Sequence, residues 1–264
     1  MLFFVNITNL SCVYIQNLNN STSLKVTYLL FFLIKSFLVD IVFFCSILIW
    51  VMHFHRYVII DTSGYQPFLA YVDHQKVLKQ WDLPVGPDQG LVLEFIFKNS
   101  SLSFQGIGVA AGPGNFSATR VGLSFAQGLA LSRKVPMIGY SSLEGYLTPK
   151  DKGKALMLPL GKKGGVLTLS SDLSEDGFIH DKNGVGPGIL LPYEEASKYC
   201  LANNCYHVVS PNPQLFIDSF SNRIRIEKAV PSIDHIRRNV VSQLMLLECS
   251  QQLTPDYRSC SCFF

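Results

Sequence analysis

Several chemical devices are missing from this 264-residue chain, and each absence removes a class of function. The six histidines form neither an HExxH nor an HxxxH pair, so no helical turn presents two imidazoles to a metal. Seven cysteines (Cys12, Cys45, Cys200, Cys205, Cys249, Cys260 and Cys262) include no CxxC pair, and their odd number does not suggest a disulfide framework. Cys260-Ser-Cys262 is too tightly spaced for a zinc knuckle. Lysines and arginines are scattered without a long basic run, and a net charge of +3 is too mild to imply a nucleic-acid surface by itself. No internal repeat or low-complexity tract is evident. A reduced, cytoplasmic setting follows as the default expectation.

Some motifs are only half present. Gly106-Ile-Gly108-Val-Ala-Ala111 fits a dinucleotide-binding GxGxxA pattern, but it lies within an apolar strand rather than after one. Gly161-Lys162-Lys163 has neither the upstream glycine nor the Ser/Thr of a phosphate loop. Gly139-Tyr-Ser141 lacks the second glycine of a nucleophile elbow, and Ser141 and Ser142 are expected to cap a helix at Leu143.

What is present centres on residues 106–147, GIGVAAGPGNFSATRVGLSFAQGLALSRKVPMIGYSSLEGYL. The apolar run Ile107 to Ala111 stops at Gly112-Pro113-Gly114, a turn in which glycine admits positive φ and proline fixes its own. Asn115 is placed to cap a helix reaching about Arg133, where Arg133 and Lys134 suit the negative end of the helix dipole. Val135-Pro136 closes it, and Pro136 to Gly139 is a further short strand, completing a βαβ unit. Two stripes run along the helix. Val121, Phe125 and Leu129 form an apolar face suited to a sheet. Ala118, Gly122, Ala126 and Ala130 form a small-residue face that invites close approach by another helix. That second helix could belong to the same chain or to another subunit; the expectation favoured here is a partner chain.

The rest of the chain is read around this unit. Tyr57 to Ile60 is a strand ending in Asp61-Thr62-Ser63-Gly64; Phe68–Val72 and Val77–Trp81 are the next two strands. Asp88 to Lys98 is a helix with Leu91, Val92, Phe95 and Ile96 inward. After a charged linker, Ala155–Leu160 and Val166–Leu169 form a hairpin that opens a second lobe. Strands at 177–180 and 205–210, a helix from Pro192 to Leu201 and an amphipathic helix from Ser232 to Cys249 complete it. Residues 28–52 are almost wholly apolar but interrupted by Lys35 and Asp40. Because Met52 stands directly ahead of strand one, the expected reading of 1–51 is an extension upstream of the true start. A membrane anchor and a signal peptide are the alternatives.

The sequence GPGNFSATRVGLSFAQGLAL followed by VPMIGYSSLEGY resembles the GPGSFTGLRIG…AQGLA…P…GVSSL signature of the TsaB family, with Asn115 in place of the usual serine. The resemblance is strong over 57–147 and weak beyond 155. Where the family carries Asp-Ala-Arg-x-Gly-Glu-Val-Tyr, this chain has Leu160-Gly161-Lys162-Lys163-Gly164-Gly165-Val166-Leu167, so the carboxylates are gone.

The resemblance implies an α/β protein of the actin-like ATPase (RNase H-like) fold. It would have two lobes, each a mixed sheet flanked by helices, the second smaller. The boundaries expected are 1–51 for the extension, 52–150 for the first lobe and 151–264 for the second lobe and tail. It also implies a scaffold subunit without a catalytic residue, metal or cofactor of its own. That subunit would assist a TsaD-like catalytic subunit and a TsaE-like ATPase in placing a threonylcarbamoyl group on N6 of an adenosine beside the tRNA anticodon. Homodimerisation is a further expectation. tRNA would be contacted only through the complex, and a membrane only if residues 28–52 are expressed. The partner interface is assigned to Gly112, Pro113, Gly114, Ala118, Arg120, Gly122, Ala126 and Ala130. Asp61, Thr62 and Ser63 form a candidate nucleotide-proximal turn, since ATP-using members of this superfamily bring the corresponding acidic turn to phosphates or their magnesium. The alternatives kept open are a stand-alone peptidase or ATP-using enzyme, and a membrane-tethered interaction module.

Overall fold

A computed structural model of the chain describes residues 55–147, 151–172, 188–246 and 253. The apolar extension 1–51, the strand expected at 177–180 and the tail beyond 253 lie outside the described residues. Strands β1 (Arg56–Asp61), β2 (Phe68–Asp73), β3 (Val77–Asp82), β4 (Ile107–Ala110) and β5 (Met137–Tyr140) form one sheet in the order β3-β2-β1-β4-β5. β1 pairs antiparallel with β2 and parallel with β4, and β4 runs parallel to β5. Tyr57–Ile60 are all buried. A central strand apolar on both faces has to be covered on both faces.

Helices α1 (Gln89–Asn99) and α2 (Phe116–Arg133) supply one cover. Val58, Ile60, Leu69, Ile107 and Val109 meet Leu93, Ile96, Leu123, Ala126 and Ala130 there. The other cover is α4 (Ile233–Leu246), whose Ile236, Val240, Val241 and Leu244 pack on Tyr57, Ile59, Ala70 and Ile138. The GxG of the dinucleotide-like motif serves this contact. A Cβ on Gly108 would lie 2.4 Å from Val240 Cγ1, so the glycine lets α4 settle on the sheet. The helix expected to close the second lobe thus returns to the first.

The second sheet contains β6 (Lys154–Pro159), β7 (Gly164–Leu169), β8 (Ile189–Pro192), β9 (His207–Ser210) and β10 (Arg225–Lys228). Its order, β8-β7-β6-β9-β10, and its strand senses repeat those of the first sheet, so the two lobes are one topology used twice. Alternate residues divide its faces. Ala155, Met157, Leu167 and Val208 join Tyr193, Ala196 and Cys200 of α3 (Tyr193–Ala202). Leu156, Leu158, Val166 and Val209 instead meet Leu143, Tyr146 and Leu147, which follow β5, together with Tyr65 from the β1–β2 turn. This is the α/β, actin-like (RNase H-like) architecture of two mixed sheets flanked by helices. Among the described residues no helix is long and apolar enough to cross a membrane.

Three local expectations need correction. α1 buries Gln89, Leu93 and Ile96, whereas Leu91 and Phe95 are 66% and 67% exposed. Residues 141–147 form turns and an isolated bridge between Glu144 and Leu147 in place of a capped helix. Strands β8 and β10, both short and partly exposed, were not expected.

Candidate functional site

The carboxyl ends of β1, β4 and β5 come together, and in open α/β sheets this edge is where ligands collect. β1 ends in Asp61, 5% exposed. Its Oδ1 accepts from the Ser63 backbone N–H at 2.9 Å, the Ser63 hydroxyl at 2.8 Å and the Gly64 N–H at 3.3 Å. Since Ser63 donates to Asp61, the 2.5 Å contact between the Ser63 and Ser142 hydroxyls makes Ser142 the donor. The Thr62 hydroxyl donates to Ala118 O at 2.7 Å, and Gln89 Nε2 donates to Thr62 O at 3.2 Å. Burial raises the Asp61 pKa, against the lowering effect of the Ser63 and Gly64 bonds.

The glycine turn is shaped to receive this knot. Gly112 has φ +103°, a conformation that favours glycine, and the Gly112–Pro113 peptide is cis. A Cβ on Gly114 would stand 2.3 Å from Ser63 O, so only glycine allows the two turns to approach so closely. Asn115 N–H donates to Ser63 O at 3.0 Å, while its side chain accepts from Ala118 N at 3.1 Å and caps α2 as expected.

A second set of buried polar groups adjoins the first. Asn239 Nδ2 donates to Glu144 Oε1, and Gln243 Nε2 donates to Asn239 Oδ1 at 2.7 Å. Among the described residues the buried Tyr140 hydroxyl has no hydrogen-bond partner. Its pKa is pushed well up, first by burial and then by the nearby Asp61 and Glu144 carboxyls. Sequence reasoning missed Tyr140, Ser142, Glu144 and Asn239. The one available signal was Glu144, a lone carboxylate in the apolar run SSLEGYL. Among the described residues no group of three or more His, Cys, Asp or Glu side chains is gathered to hold a metal.

The structure distributes the expected interface residues differently from the sequence reading. Gly122, Ala126 and Ala130 face this chain's own sheet, and a Cβ on Gly122 would lie 2.2 Å from Thr62 Oγ1. The small stripe is therefore an internal contact, which corrects the expectation of a partner helix at these three positions. Gly112 and Pro113 are likewise buried, and Gly114 and Ala118 half-buried. The larger stripe turns sideways onto α1: Val121 Cγ1 is 3.6 Å from the Cβ position of Gly90, and Phe125 and Phe97 rings lie 5.5 Å apart. Of the eight, only Arg120 is exposed, with its guanidinium 5.3 Å from the Phe116 ring. Arg120 shares the outward face of α2 with Ser117, Ser124, Gln127, Gly128 and Leu131, the last 80% exposed. Beside it, α1 turns Leu91 and Phe95 outward.

Comparison with known proteins places this geometry. Residues 90–161, from α1 to the β6–β7 turn, match the family model of TsaD, tRNA N6-adenosine threonylcarbamoyltransferase. The enzyme of that name from Wigglesworthia glossinidia brevipalpis is 40% identical over 72 residues, 26% of this chain and 21% of the enzyme. Its counterpart from Syntrophus aciditrophicus (strain SB) is 49% identical over 43 residues, 16% of this chain and 13% of the enzyme. The chain thus spans about a fifth or less of the length of these curated relatives. A crystal structure of an uncharacterized protein with similarity to peptidase YEAZ from Pseudomonas aeruginosa superposes with a TM-score of 0.55 at 15% identity, covering 77% of this chain and 99% of that one. The TsaD family match falls on the GPG unit that resembles the TsaB signature, and the structure related to YeaZ shares the fold that this resemblance implies.

Proposed function

We propose that this chain is a TsaB-like accessory subunit of the assembly that installs the threonylcarbamoyl group on N6 of an adenosine next to the tRNA anticodon. Its role is to bind and support a TsaD-like catalytic subunit, without a catalytic residue or cofactor of its own. The observation that carries this reading is the state of the Asp61-Thr62-Ser63 turn. In an enzyme using this sheet edge, the carboxylate has to reach a phosphate, a metal or a water. Here Asp61 is covered, its pKa is raised by burial, and the side chains of all three residues are hydrogen-bonded to the chain itself. The turn acts as a structural clasp for α2.

The partner surface we assign is the outward side of the α1–α2 layer: Leu91 and Phe95 with Arg120, Gly128 and Leu131. Exposed apolar side chains beside an arginine are common in interface cores. A TsaE-like ATPase, a homodimer of this chain and contact with tRNA through the complex extend the same reading, in a cytoplasmic setting.

Co-expression with a TsaD-like subunit tests it. A stable complex should form, and Leu131→Arg should weaken it while leaving the melting temperature of the isolated chain unchanged. The isolated chain should hydrolyse neither ATP nor peptides. Turnover that purifies with the chain and is lost in Asp61→Ala would support the enzyme reading instead.

A further inference from the structure

The end of α3 holds two thiols that the proposed function does not use. Asn204 adopts φ +54°, the Cys205 N–H donates to Cys200 O at 2.8 Å and the Asn204 N–H donates to Leu201 O at 3.1 Å. These are the 6→1 and 5→2 bonds of a Schellman ending. That motif brings the side chains at its two outer positions together, ordinarily as an apolar pair. Here the two positions are Cys200 and Cys205, 0% and 4% exposed and members of one buried cluster. Cys205 Sγ also lies 3.4 Å from Gly153 O and 3.4 Å from His207 O.

We propose that Cys200 and Cys205 are a redox-responsive dithiol that closes to an intramolecular disulfide across the end of α3 when the protein meets a hydroperoxide. The backbones are already joined by a hydrogen bond, so closure asks for side-chain rotation to the S–S length of about 2.05 Å. Burial keeps bulky disulfides out and favours a small oxidant with an internal second thiol. The two thiols differ in acidity. The neighbouring Cys200 thiol holds Cys205 below its ordinary value, at about 7, while Cys200 is raised. Cys205, the one of the two with any exposure, meets the peroxide first and is the attacking thiol; Cys200, fully buried, is the resolving thiol.

In the first step the Cys205 sulfur attacks one peroxide oxygen. An S–O bond forms as the O–O bond breaks, and the departing oxygen takes the proton given up by Cys205, leaving as water or alcohol. The Cys200 sulfur then attacks the Cys205 sulfenic acid; the S–S bond forms, the S–O bond breaks, and hydroxide leaves with the Cys200 proton as water. Two thiols lose two electrons and one peroxide gains them. The product has no S–H to offer Gly153 O, which lies in the connection leading into β6.

Trypsin leaves both cysteines, and no other, in the single peptide 199–223. The reduced full chain is treated with hydrogen peroxide, alkylated under denaturing conditions and mapped without reductant. The expected result is a peptide two hydrogens lighter, unalkylated at both positions, that recovers two alkylatable thiols after dithiothreitol. Cys200→Ser should instead leave a Cys205 sulfenic acid that dimedone traps. The wild-type map stands even if that variant does not fold. Peptide 199–223 alkylated twice after treatment, either cysteine joined to a different one, or both carried to sulfinic acid without a disulfide would each overturn the proposal.

Discussion

A carboxyl at the end of β1 that is stripped of water has its neutral form favoured, and this sets a sign for pH dependence. The folded pKa of Asp61 is raised by burial, so between the unfolded and folded values the native state binds the extra proton. Its contribution is fully present below the unfolded value, about 4, and is lost as pH rises through the folded one. Asp61→Asn keeps an acceptor for Ser63 and Gly64 without a charge to desolvate. Melts from pH 4 to 8 should show parent and variant converging at the acid end, with the variant more stable at neutral pH. Parallel curves would mean that Asp61 carries no such proton. Gly122 offers a steric counterpart: the added methyl of Gly122→Ala meets Thr62 Oγ1, itself bonded to Ala118 O. Overpacking of this kind costs about 1–3 kcal/mol, measurable by denaturant titration; an unchanged midpoint would contradict the close approach.

At the scale of elements, legibility followed how local the determining chemistry is. The β4–α2–β5 unit was readable because Gly112, Pro113, Asn115 and Pro136 act on their own backbone, and α2 begins and ends as those residues direct. An amphipathic helix was also expected from Ser232 to Cys249, and α4 buries Ile236, Val240 and Leu244. The destination of each α2 stripe was not readable. Periodicity separates faces, but the choice of sheet neighbour depended on Thr62, some sixty residues away, approaching where Gly122 leaves room. Leu91 and Phe95 misled for a related reason: the apolar residues of α1 are spread around its circumference, and the sheet contacts only one side. The short edge strands β8 and β10 take their identity from long-range pairing, with sequences such as RIEK carrying no strong alternation. Ser142, Glu144 and Asn239 form a site only after β5 and α4 have docked.

The outward face of α2 makes its own prediction. Among the described residues nothing outside its own helix lies within 4 Å of a Cβ placed on Gly128, and glycine inside a helix costs about 1 kcal/mol relative to alanine. Gly128→Ala should therefore stabilise the isolated chain by about 1 kcal/mol in denaturant titration. If the residue sits in a partner contact, Gly128→Leu should leave the free chain folded and weaken association. Destabilisation by Gly128→Ala would show that a close contact within the chain holds that position.

For the whole molecule, the two sheets repeat one topology although no repeat is visible in the sequence. The fold constrains strand order and burial, and many side-chain sets satisfy both. The two β-turns that occupy equivalent places have diverged: Asp61-Thr62-Ser63-Gly64 is a buried clasp, whereas Gly161-Lys162-Lys163 is exposed. The α1–α2 layer, by contrast, presents Leu91, Phe95 and Leu131 to solvent. The direct test is the affinity of the purified chain for a TsaD-like subunit, by calorimetry, for wild type, Leu131→Arg and Asp61→Asn, with a melting curve for each. The proposed accessory role predicts that Leu131→Arg weakens binding on the order of tenfold or more at an unchanged melting temperature, and that Asp61→Asn binds as wild type does. Wild-type affinity in Leu131→Arg, or loss of tRNA modification by an intact complex carrying Asp61→Asn, would contradict it.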